Sequence, residues 1–159
     1  MYNFKKLIIL ILCFFILLII TGCHKKKYTI NVIKEEDIMF QMEDEYYVYF
    51  YKDGYSYCDE LYATVNEYLN NPKELKLYVC ELGYNSRINR VYEGDNGQGP
   101  NGKYNIDHVM YYYYLCIPGV PTLIKVSNNG YVDECLYVAT GKVKIEEYLN
   151  NLNMLGTNC

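Results

Sequence analysis

The stretch Tyr46-Tyr-Val-Tyr-Phe-Tyr51 decides the fold, because it is an unbroken run of aromatic and β-branched residues. Such a run is typical of a strand that is buried on both faces of a parallel sheet. Lys52-Asp53-Gly54 breaks the strand, and apolar residues then recur at helical spacing from Cys58 to Leu69. A further strand is predicted over Glu74 to Leu82. The sequence therefore predicts a βαβ unit, whose crossover is right-handed in nearly all known cases.

The patterns on either side of this unit are shorter. Upstream, we predict a first strand and a short helix, and downstream a helix, a β-hairpin and a closing helix. Together they predict an α/β fold in which a central mixed sheet has helices on both faces. The segments concerned are strand Tyr28–Ile33, a short helix within the acidic stretch Glu35–Glu45, helix Ile106–Leu115, hairpin strands Thr122–Val126 and Tyr131–Val138, and helix Lys142–Leu152.

A glycine-rich run separates the βαβ unit from the downstream elements. It reads Gly94-Asp-Asn-Gly-Gln-Gly-Pro-Asn-Gly102 and has little apolar surface to pack. We predict a surface loop insert over residues 93–103, within a single domain that spans residues 28–155.

The N-terminal segment has the layout of a secretory signal peptide, with Lys5 and Lys6 ahead of an unbroken apolar run. The run from Leu7 to Ile20 covers 14 residues. A helix of that length would cross about 21 Å of a hydrocarbon core that is about 30 Å thick. A stable membrane span is therefore the weaker interpretation, and we predict a signal peptide over residues 1–22.

The end of this segment, Ile20-Thr21-Gly22-Cys23, resembles the bacterial lipobox, in which small residues precede a cysteine that receives a diacylglycerol group. The resemblance implies a mature N-terminus at Cys23. Three lysines at positions 25–27 would add a basic patch beside the acyl chains. We expect a lipidated N-terminus and tether over residues 23–27, at the cell membrane on its extracytoplasmic side. The alternative is that Cys23 flanks an ordinary signal peptide or an uncleaved anchor.

The charge of the chain argues against nucleic acid as a partner. Removal of residues 1–22, which carry two lysines and no acidic residue, takes the formal net charge from −4 to −6. A nucleic-acid-binding domain needs a basic surface. The chain has only two histidines, and no two cysteines have zinc-site spacing, so we assign neither a metal nor a cofactor.

Two stretches resemble the thioredoxin superfamily. One is Tyr49-Phe-Tyr-Lys-Asp-Gly-Tyr-Ser-Tyr-Cys58-Asp-Glu-Leu61, and the other is Ile117-Pro-Gly-Val-Pro121-Thr-Leu-Ile-Lys-Val126. The similarity covers Tyr46 to Leu152. It implies a thioredoxin-like fold, and it aligns Gly-Val-Pro121-Thr with the loop of that family that carries a cis proline and pairs with an extended substrate. The alternative for Pro121 is an ordinary loop proline.

The first stretch lacks the first cysteine of the family's motif, which is the nucleophile in that family. In the family, a Cys-x-x-Cys motif begins a helix, and its first thiol attacks disulfides. The resemblance puts Tyr55 at the first cysteine and Cys58 at the second. Tyr55 cannot act as the nucleophile, so we expect ordinary dithiol activity to be weak or absent. Cys58 is then either a monothiol exchange site or a buried structural thiol.

The remaining cysteines leave the redox chemistry open. One hypothesis is that Cys116, five residues before Pro121, forms a non-standard redox pair with Cys58, and the alternative is a buried structural residue. Cys80 and Cys135 fall in predicted strands, and Cys159 lies near the end of the sequence.

Three functions remain compatible with the sequence. The first is thiol-disulfide exchange through Cys58. The second is a redox-inactive module in which Tyr55, Tyr57, Val120 and Pro121 bind an extended segment of an exported protein or peptide. The third is a structural role in the cell envelope, with the glycine-rich loop meeting a partner.

Overall fold

The computed structural model of the chain describes residues 27–90, 110–128 and 133–155. The predicted signal peptide, the lipidated cysteine and the glycine-rich loop lie outside the described residues. The strands are β1 (Val32–Ile33), β2 (Glu45–Tyr51), β3 (Lys76–Glu81), β4 (Asn89–Arg90), β5 (Cys116–Ile117), β6 (Thr122–Asn128) and β7 (Asp133–Thr140), and the long helices are α1 (Ser56–Asn70) and α2 (Lys142–Leu155).

Five strands form one mixed sheet in the order β1-β3-β2-β6-β7. Strands β1, β2 and β3 run parallel, whereas β6 is antiparallel to both β2 and β7. The predicted βαβ unit is confirmed, since β2 and β3 pair from Tyr46↔Lys76 to Tyr51↔Glu81 and α1 connects them. The predicted pairing of the last two strands is also confirmed. The chain therefore has an α/β fold with a mixed sheet.

The side chains of β2 point alternately into two separate hydrophobic cores, because successive residues of a strand point to opposite faces of the sheet. Tyr47, Tyr49 and Tyr51 pack beneath α1 and α2, so both described helices share one face. The other face is covered by turns and by the short strand β5, whose buried side chains include Ile38, Met39, Leu82, Ile88, Leu115 and Ile117. Helices on both faces therefore stay a prediction, since residues 91–109 lie outside the described part of the chain.

Three predicted elements differ in the structure because long-range packing overrides the local pattern. The helix predicted within Glu35–Glu45 is a single 3-10 turn, Glu35–Asp37, after which Ile38 and Met39 are buried against the sheet. The described part of the helix predicted over Ile106–Leu115 contains only the 3-10 turn Tyr112–Tyr114.

The first predicted strand, Tyr28–Ile33, pairs only over Val32–Ile33. Asn31 has a left-handed backbone, with φ of 51°, and its side-chain amide donates to the Leu77 carbonyl at 2.9 Å. Asparagine tolerates this conformation better than most residues. Tyr28, ahead of this bend, packs with the core beneath α1 instead of extending the sheet.

Candidate functional site

Two chain segments meet at the edge of the sheet where β2 ends. After Tyr51, Gly54 adopts φ of 72°, a turn conformation that favours glycine, and α1 begins at Ser56 with Tyr55 as its N-cap residue. Strand β6 starts opposite this point, because Thr122 pairs with Phe50. Pro121 therefore lies at the same edge of the sheet as the turn that leads into α1.

Cys58 lies in the first turn of α1 and carries a free thiol, but it is only 3% exposed. Burial raises the pKa of the thiol, and the nearby Lys52 backbone and Tyr49 hydroxyl offset that rise in part. The reactive form of a cysteine is its thiolate. A shielded thiol with a raised pKa is therefore a poor nucleophile at neutral pH.

Two buried tyrosine hydroxyls accompany this thiol. Tyr28 and Tyr49 are 3% and 0% exposed, and their rings meet edge-to-face with centroids 6.1 Å apart. The Tyr49 hydroxyl influences the pKa of Cys58, yet neither tyrosine hydroxyl makes a hydrogen bond of regular geometry within the described residues. Burial raises the pKa of both tyrosines, so both stay protonated at neutral pH. The buried groups beside Cys58 are thus polar but neutral, and the charged side chain that affects its pKa is that of Asp59, which raises it.

The orphan hydroxyl of Tyr49 leads to a stability prediction. A buried polar group without a partner costs about 1–3 kcal/mol, so we expect Tyr49→Phe to raise the free energy of unfolding by about 1 kcal/mol. The pKa of Cys58 should rise as well, because Tyr49 lowers it in the native chain. Urea unfolding measures the first effect, and the pH at which Cys58 alkylation reaches half its limiting rate measures the second.

Tyr47→Phe is the matched control, because the Tyr47 hydroxyl contacts Glu74 Oε2 at 2.9 Å and the Tyr148 hydroxyl at 2.8 Å. This variant should destabilise the fold by about 1 kcal/mol. Equal losses in both variants would show that the Tyr49 hydroxyl is hydrogen-bonded after all.

The surface of the site is aromatic. Tyr55 and Tyr57 are 40% and 52% exposed, and their rings meet edge-to-face at 5.6 Å. Across the site, the Val120–Pro121 peptide bond is cis, and Val120 packs against both cores. The four residues predicted for substrate contact thus lie at one edge of the sheet.

Hydrogen bonds fix the residues on both sides of Val120 in the loop around Pro121. The Gly141 N–H donates to the Pro121 carbonyl at 3.0 Å, and the Thr122 hydroxyl donates to the Gly119 carbonyl at 2.7 Å. Within the described part of the chain, no backbone hydrogen bond engages the N–H or C=O of Val120. Val120 can therefore offer one donor and one acceptor to an extended peptide.

The structure does not join Cys116 to Cys58. Cys116 is buried in β5, which pairs with β4, and its neighbours Leu115 and Ile117 pack in the core on the face away from α1. Cys58 is a free thiol, so the two cysteines share no disulfide here. The redox pair therefore stays a prediction.

The other cysteines offer no reactive thiol among the described side chains. Cys80 is fully buried, and burial raises its pKa to about 12. Cys159 and the side chain of Cys135 lie outside the described part of the chain.

Tyr28 and Tyr49 are two residues of the site that are not among those predicted from the sequence. For Tyr49 a signal existed, because the period of two puts it on the same face of β2 as Tyr47 and Tyr51. No local signal marks Tyr28, whose position depends on the bend at Asn31.

Comparisons with known proteins give no family for this chain: no family model and no curated protein sequence matches it. The residues that the structure describes contain no helix that is long and apolar enough to cross a membrane. Across residues 27–90, 110–128 and 133–155, no group of three or more acidic, histidine or cysteine side chains is arranged to hold a metal ion.

Proposed function

We propose that this chain is an extracytoplasmic, lipid-anchored protein with a thioredoxin-like domain that binds an extended polypeptide segment without thiol chemistry. The observation that carries the proposal is the state of Cys58, which is 3% exposed and has a raised pKa. Tyr55 occupies the position where a nucleophilic cysteine would stand, and a phenol cannot replace a thiolate in disulfide exchange. Binding is the function that this edge of the sheet retains.

The thioredoxin-like assignment is supported by how the elements are joined. A parallel βαβ unit is followed by two antiparallel strands and a last helix, and α1 begins at the same edge of the sheet as the Gly-Val-Pro121-Thr loop. The assignment includes helices on both faces of the sheet, as the resemblance implies, although the two described helices share one face.

The lipid anchor is supported by the sequence Ile20-Thr21-Gly22-Cys23 and by the apolar run before it. Acyl chains on Cys23 would hold the domain at the membrane, and the three lysines at positions 25–27 would add attraction to anionic headgroups. The domain would then meet polypeptides that have already left the cytoplasm.

The proposed complex uses β-strand addition. The N–H and C=O of Val120 would pair with an extended segment, as exposed backbone does in other peptide-binding domains. Tyr55 and Tyr57 would pack against its side chains, since tyrosine combines a large apolar ring with a hydroxyl. The buried thiol of Cys58 would contribute only to packing.

A peptide array of extended octapeptides, probed with the full chain in detergent, tests this proposal. Replacing both Tyr55 and Tyr57 by alanine should weaken binding about tenfold or more, because aromatic anchors commonly contribute over 1 kcal/mol each. Cys58→Ser should leave binding unchanged. Tyr84→Ala is the matched control, since Tyr84 is a fully exposed tyrosine on a turn after β3, outside the site.

A second candidate function is monothiol exchange through Cys58, favoured by the free thiol at this edge of the sheet. Here the Cys58 thiolate would attack a substrate disulfide, form a mixed disulfide and release the other sulfur as a thiol. If Cys58→Ser abolishes capture of peptides that contain a disulfide, exchange replaces binding as the function.

A further inference from the structure

An open cavity lies at the carboxyl ends of β1 and β3, on the face of the sheet away from α1. Its volume is about 820 Å³, and its lining includes Ile33, Glu81 and Tyr112. Ile33 is the last residue of β1, and Glu81 is the last residue of β3. In open α/β sheets, ligands bind in the crevice outside the carboxyl ends of the strands. The cavity is therefore placed where such a fold offers room for a ligand group.

The cavity adjoins the edge of the sheet that carries Val120. Ile33, Tyr112 and Val120 all pack against the same hydrophobic core. Thr122, at the start of β6, and Ile33 lie in one row across the sheet, three strand spacings apart. These spacings amount to about 14 Å, which an extended peptide spans with about four residues. A segment that pairs with Val120 can therefore place one of its side chains in the cavity.

Carboxylates outnumber cations in the lining of this cavity. Glu35, Glu36 and Glu81 line it, together with Lys34 and Arg87. The Glu35 carboxylate accepts the backbone N–H of Arg87 at 2.8 Å. Lys34 Nζ lies 3.7 Å from Glu36 Oε1, in an ion pair whose two side chains are 79% and 58% exposed. Such an exposed pair is weak, so the lining keeps an acidic character.

A buried thiol behind the cavity reports the sign of the local electric field. Cys80 precedes Glu81 in β3 and is fully buried. Burial raises its pKa most, and the carboxylates of Glu35, Glu36 and Glu81 raise it further, because negative charge opposes formation of a thiolate. Burial and then Glu81 also raise the pKa of Tyr51, the last residue of β2. The field at this end of the strands therefore favours a cation.

Two aromatic rings also line the cavity. Tyr112 is half-buried against the core, and Tyr84 is fully exposed. A cation is attracted to the face of a tyrosine ring, and the alkyl stem of a lysine or arginine packs on apolar surface while its head meets polar groups. The chain already contains such an arrangement: Lys76 Nζ lies 4.8 Å from the centre of the Tyr78 ring and 2.7 Å from Glu43 Oε1. The cavity offers both kinds of partner to a basic side chain from outside.

We propose that this cavity binds the side chain of a lysine or arginine in the extended polypeptide that pairs with Val120. The proposal rests on the proposed binding function and narrows its class of partner. The preferred segments carry a basic residue about four positions from the residue that pairs with Val120. The alkyl stem of that residue lies against Ile33 and Tyr112, and its charged head meets the carboxylates of Glu35 and Glu81.

Octapeptides of alternating threonine and serine test this proposal when they are titrated against the full chain in detergent. Each position in turn carries lysine, glutamine or glutamate. We expect the best lysine peptide to bind about fivefold more tightly than its glutamine counterpart, the scale of an ion pair at partly exposed carboxylates. The glutamate peptide should bind most weakly. The lysine preference should shrink at about 1 M salt, because salt screens exposed charges.

The double variant Glu35→Gln/Glu81→Gln should bind the lysine and glutamine peptides equally. Glutamine keeps a carbonyl oxygen that can accept the Arg87 N–H, so the turn after β3 keeps this contact. Glu67→Gln is the matched control, because Glu67 is exposed on α1, and it should retain the lysine preference. Tyr84→Ala stays a control for the glutamine peptides, which place no cation in the cavity.

Equal affinities of the lysine and glutamine peptides for the native chain would overturn the proposal, and so would a lysine preference that persists in the double variant. The glutamine peptides test the proposed function separately. If they bind, and lose affinity when Tyr55 and Tyr57 are both replaced by alanine, the binding function stands even where the lysine preference fails. Failure of every peptide to bind would overturn both.

Discussion

Replacement of Tyr47 by alanine is expected to lower the free energy of unfolding by about 4 kcal/mol, the usual cost of removing a buried aromatic ring. Tyr47 is fully buried in β2, and its ring meets those of Tyr68 and Tyr148 edge-to-face at 6.3 Å and 5.8 Å. The change would leave a cavity between β2 and both helices and would remove the shared hydrogen-bond partner of Glu74 and Tyr148. Urea or guanidinium unfolding measures the loss.

Tyr84→Ala provides the baseline for this measurement, because Tyr84 is 99% exposed and its loss should change stability by less than about 0.5 kcal/mol. A loss below about 1 kcal/mol for Tyr47→Ala would mean that the two helices do not pack on this face of the sheet as described.

Replacement of Tyr28 by alanine is expected to speed the alkylation of Cys58 by about 30-fold. Cys58 can react only when its surroundings open, and the ring of Tyr28 belongs to the core that covers it. Loss of that ring should lower the free energy of local opening by about 2 kcal/mol, and each 1.4 kcal/mol corresponds to a factor of about ten. Alkylation followed by peptide mass spectrometry gives the rate for each cysteine.

Cys80 serves as an internal control for this experiment. It is fully buried on the opposite face of the sheet, in the core that contains Phe50 and Ile88. If Cys80 speeds up as much as Cys58, the variant is unfolding globally, and Tyr28 has no specific role in shielding the site. If neither rate changes, Tyr28 does not cover Cys58.

The central part of the fold could be predicted from the sequence because its signals are local. The unbroken aromatic and β-branched run from Tyr46 to Tyr51 is typical of a strand that is buried on both faces. The spacing of Leu61, Val65 and Leu69 is typical of a helix with one apolar face. Shorter elements could not be predicted. The 3-10 turns and the two-residue strands β4 and β5 have no periodicity, and they form where the chain covers the second face of the sheet.

The candidate site could be predicted only in outline. The sequence resemblance implied that Tyr55, Cys58 and Pro121 lie together, and the structure places the start of β6 opposite the end of β2. The burial of Cys58 could not be derived, since the core that surrounds it includes Tyr28, thirty residues upstream. Where the chain folds back so that a distant residue such as Tyr28 packs in the core, the local sequence pattern does not indicate it.

The two edges of the sheet are unequal, which bears on how the chain behaves at high concentration. Strand β1 pairs over two residues, whereas β7 spans eight, and no described strand pairs with the outer side of either. An unpaired edge is a template for a second chain, and short edge strands are one way in which proteins avoid aggregation. Short length protects β1, whereas β7 is long and is interrupted by an irregularity near Val138, where its register with β6 shifts. Among the described strands, self-association through the backbone therefore has its longest template along the part of β7 before Val138.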